Sequence, residues 1–247
     1  MIDRLSAQMQ AMQMLSRAQD ATADNLANIN TPGFKGSKLF YRLLKQEVNG
    51  KEVTETVPMQ KIDMKQGVLE PTGNPFDFGL QGQGFFQVQD AGGNELLSRD
   101  GRFHIDADGY LVNGQADKVM GKAGPVHIPE YFQATNQDKG GAKLEVADDG
   151  TIRLNNEVYD KIRIVKVDDT ANLERRGNNY FAAKGDDHLV EDPSTTVMQG
   201  FYEKGNVNPL GEMVDMMRTM KMFESQQRAL RSSDEMLAQV AGRLGKF

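Results

Sequence analysis

Apolar positions in the first thirty residues recur at alternating three- and four-residue steps. Ile2, Leu5, Met9 and Met12 open the series, Ala23 and Leu26 close it, and Ser16 and Gln19 fall on the same spacing between them. This is the period of a helix with one seam to bury and a polar middle. The segment is rich in Ala, Gln, Met and Leu, which favour helix, and has no Gly or Pro before Pro32. Asn28-Ile29-Asn30-Thr31-Pro32-Gly33 ends it. Pro32 lacks an N–H and pushes Thr31 away from helical backbone, and Gly33 admits a positive-φ turn.

The far end of the chain mirrors the start. Asn208 is placed to cap a helix and Pro209 to occupy its first position. Met216, Met220, Phe223, Gln227, Leu230, Asp234, Leu237, Ala241 and Leu244 then continue in steps of four and three. Between the two ends, short strand-like runs alternate with turn residues. Phe85-Phe86-Gln87-Val88 precedes Asp90-Ala91-Gly92-Gly93-Asn94, and Arg102-Phe103-His104-Ile105 precedes Asp106-Ala107-Asp108-Gly109. Tyr110-Leu111-Val112 runs into Asn113-Gly114, Thr151 to Leu154 follows Asp149-Gly150, and Lys161 to Val167 alternates cleanly. The Asp-Gly and Asn-Gly pairs point to hairpins, because type I′ turns need positive φ at both central residues. Strands at this spacing predict an antiparallel meander or small barrel.

The pattern predicts an α+β chain in four parts. Residues 1–33 form an N-terminal helix and turn, 34–79 an extended linker region, 80–200 an antiparallel β-rich domain, and 201–247 a C-terminal helix pairing with 1–33. The two heptad helices are expected to make a coiled-coil-like domain. Within the linker, Leu39 to Leu44 reads equally as helix or strand.

Composition narrows the role. A net charge of -6 gives no counterion-release attraction to nucleic acid, so no nucleic-acid partner is expected. The absence of cysteine removes disulfides, Cys-based zinc sites and a thiol nucleophile. No apolar run approaches the roughly 20 residues needed to span a bilayer, so no membrane insertion is expected. Met1 to Gln13 lacks the continuous apolar stretch of a cleavable secretion signal, so export would have to read an uncleaved N-terminus.

Two amphipathic helices have only each other to bury a seam against, whereas a stable domain needs packed layers around a core. The expectation is that these ends stay incomplete in the monomer and find the missing surface on neighbouring copies. The alternative is that they pair and simply cap the domain. Ten of the fourteen methionines lie in the end segments: Met1, Met9, Met12, Met14, Met213, Met216, Met217, Met220, Met222 and Met236. Unbranched, polarisable Met adapts to non-identical neighbours, although it also serves as ordinary core. Expected assembly residues are Leu5, Met9, Met12, Leu26, Asn28, Asn30, Met216, Met220, Phe223, Leu230, Leu237 and Leu244.

Candidate chemistry is sparse. His104, His127 and His188 are scattered without metal-ligand spacing. Asp106-Ala107-Asp108-Gly109 resembles the opening of a calcium loop, but the later ligands are missing, and a tight turn explains it better. Gly79 to Phe86 is glycine-rich in the wrong order for a dinucleotide fingerprint and leads into a strand. The acid pairs Asp148-Asp149, Asp168-Asp169 and Asp186-Asp187 sit beside turn signals and read as solvated loop charges. No catalytic residue, metal site or cofactor is expected.

Three motifs together resemble the flagellar rod and hook protein family. They are Asn25-Leu26-Ala27-Asn28-Ile29-Asn30-Thr31-Pro32-Gly33-Phe34-Lys35; Gly82-Gln83-Gly84-Phe85-Phe86-Gln87-Val88 with Ser98 to Phe103 and Asp108 to Val112; and Gln199-Gly200-Phe201-Tyr202-Glu203 with Asn206-Val207-Asn208 and Glu212-Met213-Val214. They occur in the family's order across the whole chain. The resemblance implies a non-enzymatic subunit of the basal-body rod, exported unprocessed by the flagellar type III apparatus and stacked with copies of itself and neighbouring rod or hook proteins. The terminal helices would form the inner tube and the β domain would pack outside. Both the proximal-rod and the distal-rod types fit: Gly121 to Pro129 and Asn74-Pro75-Phe76-Asp77-Phe78 look more like the proximal, while Gly82 to Val88 and Glu203 to Val214 are also strong in the distal. Two other readings compete: a secreted or surface binding module whose helices merely dimerise, and an enzyme with an unrecognised site in the β domain.

Overall fold

The computed structural model describes residues 2–48, 51–128, 144–167, 173–177, 179–183 and 189–244; the side chains of 2–6, 41–48, 51–56, 58, 234 and 237–244 are not described. The chain is α+β, with a helix at each end and strands between. It divides into two compact units. A helical unit comprises Met1–Ile29, Gly36–Asp63 and Val207–Phe247, and a β unit comprises Asn30–Lys35 and Met64–Asn206.

In the helical unit, α1 (Ile2–Ala27) packs against α2 (Pro209–Leu244). Asn208 caps α2: its side-chain oxygen accepts from the Gly211 N–H at 3.2 Å, and Pro209 takes the first helical position. The residues read as linker, 34–79, take several forms. Ser37–Val48 and Lys51–Ile62 make a long antiparallel hairpin in continuous register from Ser37 opposite Ile62 to Val48 opposite Lys51. Leu69–Pro71 and Phe78–Gln81 are strands of the β unit, paired with Phe201–Glu203 and Thr196–Gln199. Asn25 explains how a helix can hold a strand. Its amide donates to the Ser37 carbonyl and accepts from the Ser37 N–H, both at 2.9 Å, so one buried side chain stands in for a strand partner.

In the β unit, Phe85–Gln89 is the central strand. It pairs with Glu95–Ser98, Lys118–Val119 and Ile164–Val167. Phe86 is wholly buried and meets Phe103 edge-on at 5.1 Å between centroids, with Phe78 beyond at 6.0 Å. The turns follow a different geometry from the expected one. Gly109 and Gly150 have positive φ, but Asp108 and Asp149 do not, and beyond Asn113-Gly114 the positive φ falls on Ala116. These are longer loops in which an acidic or amide side chain gathers backbone N–H groups. Asp106 accepts from Asp108 and Tyr110, and Asn113 from Gln115 and Asp117. The two-residue turn with both φ positive is at Asn155-Asn156, joining Thr151–Leu154 to Glu157–Lys161.

Asp192 is buried in the turn before Thr196–Gln199. Burial works to raise its carboxyl pKa, but hydrogen bonds from Ser194 and Thr195 outweigh this and hold it below the usual range. A depressed folded pKa favours the ionised native state. The contribution is therefore present above the unfolded value near 4 and lost as pH falls through the folded one. The expected result is a melting temperature that declines below about pH 4, with a shallower decline in Asp192→Asn. Thermal melts of both chains across that range check it.

Candidate assembly surface and its anchor

The helical unit is poorly buried for its length. On α1 the fully buried side chains among the described residues are Ala21 and Asn25, and on α2 there are none. The half-buried stripe of α1 runs through Ala11, Leu15, Ala18 and Thr22, where the small side chains allow close approach, and Ala11, Met14 and Leu15 share a groove with Met222, Ser225 and Gln226. On α2 the half-buried stripe is Met216, Thr219, Phe223, Gln226, Leu230 and Ser233.

The expected seam residues divide accordingly. Met216, Phe223 and Leu230 are half-buried on the paired face of α2, and Met12 and Leu26 are half-buried on α1. Met9 and Met220 point outward, 54% and 46% exposed. Asn28 is half-buried, its side chain donating to the Asp24 carbonyl at 2.9 Å to finish the helix, and Asn30 is exposed. The side chains of Leu5, Leu237 and Leu244 lie outside the described residues. The half-buried stripe of α2 carries Thr219 where the expected series has Met220. The displaced methionine joins a second stripe: Leu210, Met213, Met217 and Met220, at steps of three and four, are 72%, 49%, 56% and 46% exposed. Val214 lies beside them, 41% exposed. This apolar stripe has a coiled-coil spacing and no partner element among the described residues of the chain.

At the chain's entry into the β unit, three charged side chains are sealed from solvent. Glu203 and Lys35 are 1% exposed and Arg99 is 2%. One Glu203 carboxylate oxygen accepts from Lys35 Nζ at 2.6 Å and from the Gly67 N–H at 2.7 Å; the other accepts from Arg99 Nη1 at 3.1 Å. Lys35 also donates to the Lys65 carbonyl, and Arg99 to that of Gly82. Burial lowers the Arg99 pKa, and the Glu203 charge partly opposes that. Around the triad, the Gly33 N–H donates to the Glu203 carbonyl at 2.7 Å, Arg175 stacks over Phe34 at 4.4 Å and donates to the Lys35 carbonyl, and Asn179 donates to that of Pro32. Sequence reasoning quoted Lys35, Arg99 and Glu203 inside motifs but assigned them no role. A Lys and a Glu 168 residues apart carry no local sign of pairing.

Gly33 is required by this packing. Its φ is +67°, and a Cβ there would lie 2.3 Å from the Arg99 carbonyl carbon. Gly33→Ala is expected to cost at least about 2 kcal/mol. Chemical denaturation of the variant, scored by an unchanged m-value and a lower midpoint, checks it.

The residues weighed for other chemistry are accounted for locally. His104 and His127 are exposed, His127 bonding the Asp108 carbonyl at 2.9 Å. Glycines 82 and 84 sit against Thr195 in a tight strand-to-strand connection. A cavity of about 410 Å³ in the β unit is lined by Lys122, Asp149, Lys161, Arg163, Glu191 and Asp192 among others. Asp149 is held by Thr151 and Lys161, and Asp192 by Ser194 and Thr195, whose hydroxyl also accepts from the Gly84 N–H. These groups stitch turns together. His188, Pro129, Asp168-Asp169 and Asp186-Asp187 lie outside the described residues.

Comparison with known proteins covers both ends and the middle. Residues 5–35 match the flagella basal body rod protein model, 79–154 the flagellar hook protein FlgE/F/G D1 domain, and 198–243 the C-terminal model of flagellar basal body rod FlgEFG proteins. The chain is 31% identical over 242 residues to the flagellar basal-body rod protein FlgF of Mesorhizobium japonicum, covering 95% of this chain and 96% of that one. It is 33% identical over 234 residues to FlgF of Escherichia coli, covering 88% of each. It is 26% identical over 242 residues to the rod protein FlgG of Buchnera aphidicola from Acyrthosiphon pisum, covering 89% and 91%. Identity at this level along nearly the full length, with all three models in their order, shows that the chain belongs to the FlgE/F/G family of flagellar hook and basal-body rod proteins.

Proposed function

We propose that this protein is a structural subunit of the bacterial flagellar basal-body rod, of the proximal FlgF type, and that its terminal helices polymerise into the shaft carrying torque from motor to hook. The observation that carries the assembly mechanism is the exposed stripe Leu210, Met213, Met217 and Met220. Apolar side chains at heptad spacing on a helix whose other face is already used need a second helix layer, and a neighbouring subunit supplies one. Moving these side chains from half exposure to full burial contributes about 1 kcal/mol each, enough for several such contacts to hold neighbours in a repeating array. The proximal type is favoured by identities of 28–33% to the FlgF relatives against 26–27% to the FlgG relatives.

The role is non-enzymatic and uses no cofactor. Its partners are further copies of the chain, neighbouring rod or hook proteins and the flagellar export apparatus, and its place is the rod crossing the periplasm. The two helices act as a coiled-coil-like axial domain in that setting. Sedimentation of the purified chain over a wide concentration range tests the reading against a discrete helical dimer. Open-ended growth of the species with concentration supports a polymerising subunit; a single dimer at all concentrations contradicts it.

A further inference from the structure

The chain passes between its two units four times, at residues 29/30, 35/36, 63/64 and 206/207. Just inside the β unit, each crossing is bonded to Glu203, through its carboxylate or its main-chain carbonyl, or to Phe34 and Lys65, which flank or accept from the carboxylate's partner Lys35. The first is held by the Gly33 N–H on the Glu203 carbonyl, and the second by Lys35 Nζ on the Glu203 side chain. The third is held by the Gly67 N–H on that same carboxylate oxygen, with the Lys65 carbonyl accepting from Lys35. The fourth is held by Asn206, whose backbone N–H donates to the Phe34 carbonyl at 3.2 Å and whose side chain donates to that of Lys65 at 2.9 Å. Arg99 holds the other carboxylate oxygen.

We propose that Glu203 is a positioning residue for assembly: it locks in register the points at which all four segments leave the β unit. Stability alone is a poor reason to bury these groups. Desolvating two cations and a carboxylate consumes much of what their attraction returns, and apolar residues of similar volume often do as well. Fixing register is the better-attested use of such a cluster. The carboxylate also joins partners that a local contact cannot, because Lys35 and Gly67 are 168 and 136 residues away in sequence.

This inference rests on the chain being an assembling subunit, so its test has an arm that does not involve assembly. Native-state hydrogen exchange is followed at the Gly33, Gly67 and Asn206 amides and at the core amides of Phe86 and Val88, in the full-length chain and in Glu203→Gln. The lock predicts that the three crossing amides lose protection together, at least ten-fold, while the core amides hold. It predicts further that incorporation of the variant into basal bodies falls at least ten-fold. Loss confined to Gly67, or incorporation at the wild-type level, overturns it. If Glu203→Gln does not fold, the triple variant Lys35→Met, Arg99→Met, Glu203→Leu leaves no charge buried in this cluster and carries the same comparison. A folded triple variant that assembles normally also overturns the lock. Failure of the unaltered chain to assemble would instead count against the rod reading.

Discussion

Replacing Met217 and Met220 together by Glu abolishes assembly and leaves the chain folded. Both side chains are about half exposed on α2, 56% and 46%. Glu forms helix about as well as Met, and an exposed substitution shifts stability by about 0.5 kcal/mol or less. Inside an interface the balance reverses. Two apolar side chains no longer contribute, and two carboxylates must be desolvated without partners, a combined penalty of about 4 kcal/mol or more. That is roughly a thousand-fold weaker association for each contact. The melting curve of the variant checks the first half, and sedimentation with recovery in purified basal bodies checks the second. Met217→Leu with Met220→Leu keeps the apolar stripe and is expected to assemble.

Lys35→Ala produces the largest loss of stability expected in the β unit. Breaking a buried ion pair from one side typically costs about 3–5 kcal/mol, because the other charge is left without its partner in a dry site. Glu203 keeps Arg99 and the Gly67 N–H, which puts the cost near the lower end, about 3 kcal/mol. For a unit of this size the melting temperature falls by about 6–12 °C. The contrast is Lys204→Ala. Lys204 pairs with Glu70 at 3.0 Å, but the two side chains are 44% and 39% exposed, and solvent screens the attraction. Its melting temperature is expected to match that of the unaltered chain. Parallel thermal melts of the three proteins check both statements.

The parts of this fold legible in the sequence were those written locally. Asn208 and Pro209 marked the start of α2, and Phe85 to Val88 marked the central strand, because caps, periodicity and flanking glycines act within a few residues. The helix faces were half legible. Period 3.6 permits two adjacent registers, and choosing the apolar Met220 over Thr219 assumed that the most hydrophobic position faces inward. In the chain itself Thr219 joins Met216, Phe223 and Leu230 on the half-buried face, and Met220 is left outside. The turns showed the right residues with a different geometry, since Asp106 and Asn113 use side-chain acceptors where a type I′ turn would use positive φ. The hairpin at 37–62 was masked by Leu39 to Leu44, an apolar run without strand alternation, held partly through the Asn25 amide. The anchor was illegible for another reason. Lys35, Gly67, Arg99 and Glu203 meet only after the β unit closes, and nothing in their spacing encodes the meeting.

The central claim is that the terminal helices complete their packing on other subunits, whereas the β unit is complete in itself. The most direct measurement uses a chain lacking residues 2–29, expressed in cells without their own copy, with purified basal bodies probed for the truncated protein and its soluble pool melted in parallel. The account predicts a cooperatively folded β unit in the soluble pool and no truncated chain in the basal body. Recovery of the truncated chain in basal bodies at the level of the full-length protein would contradict it.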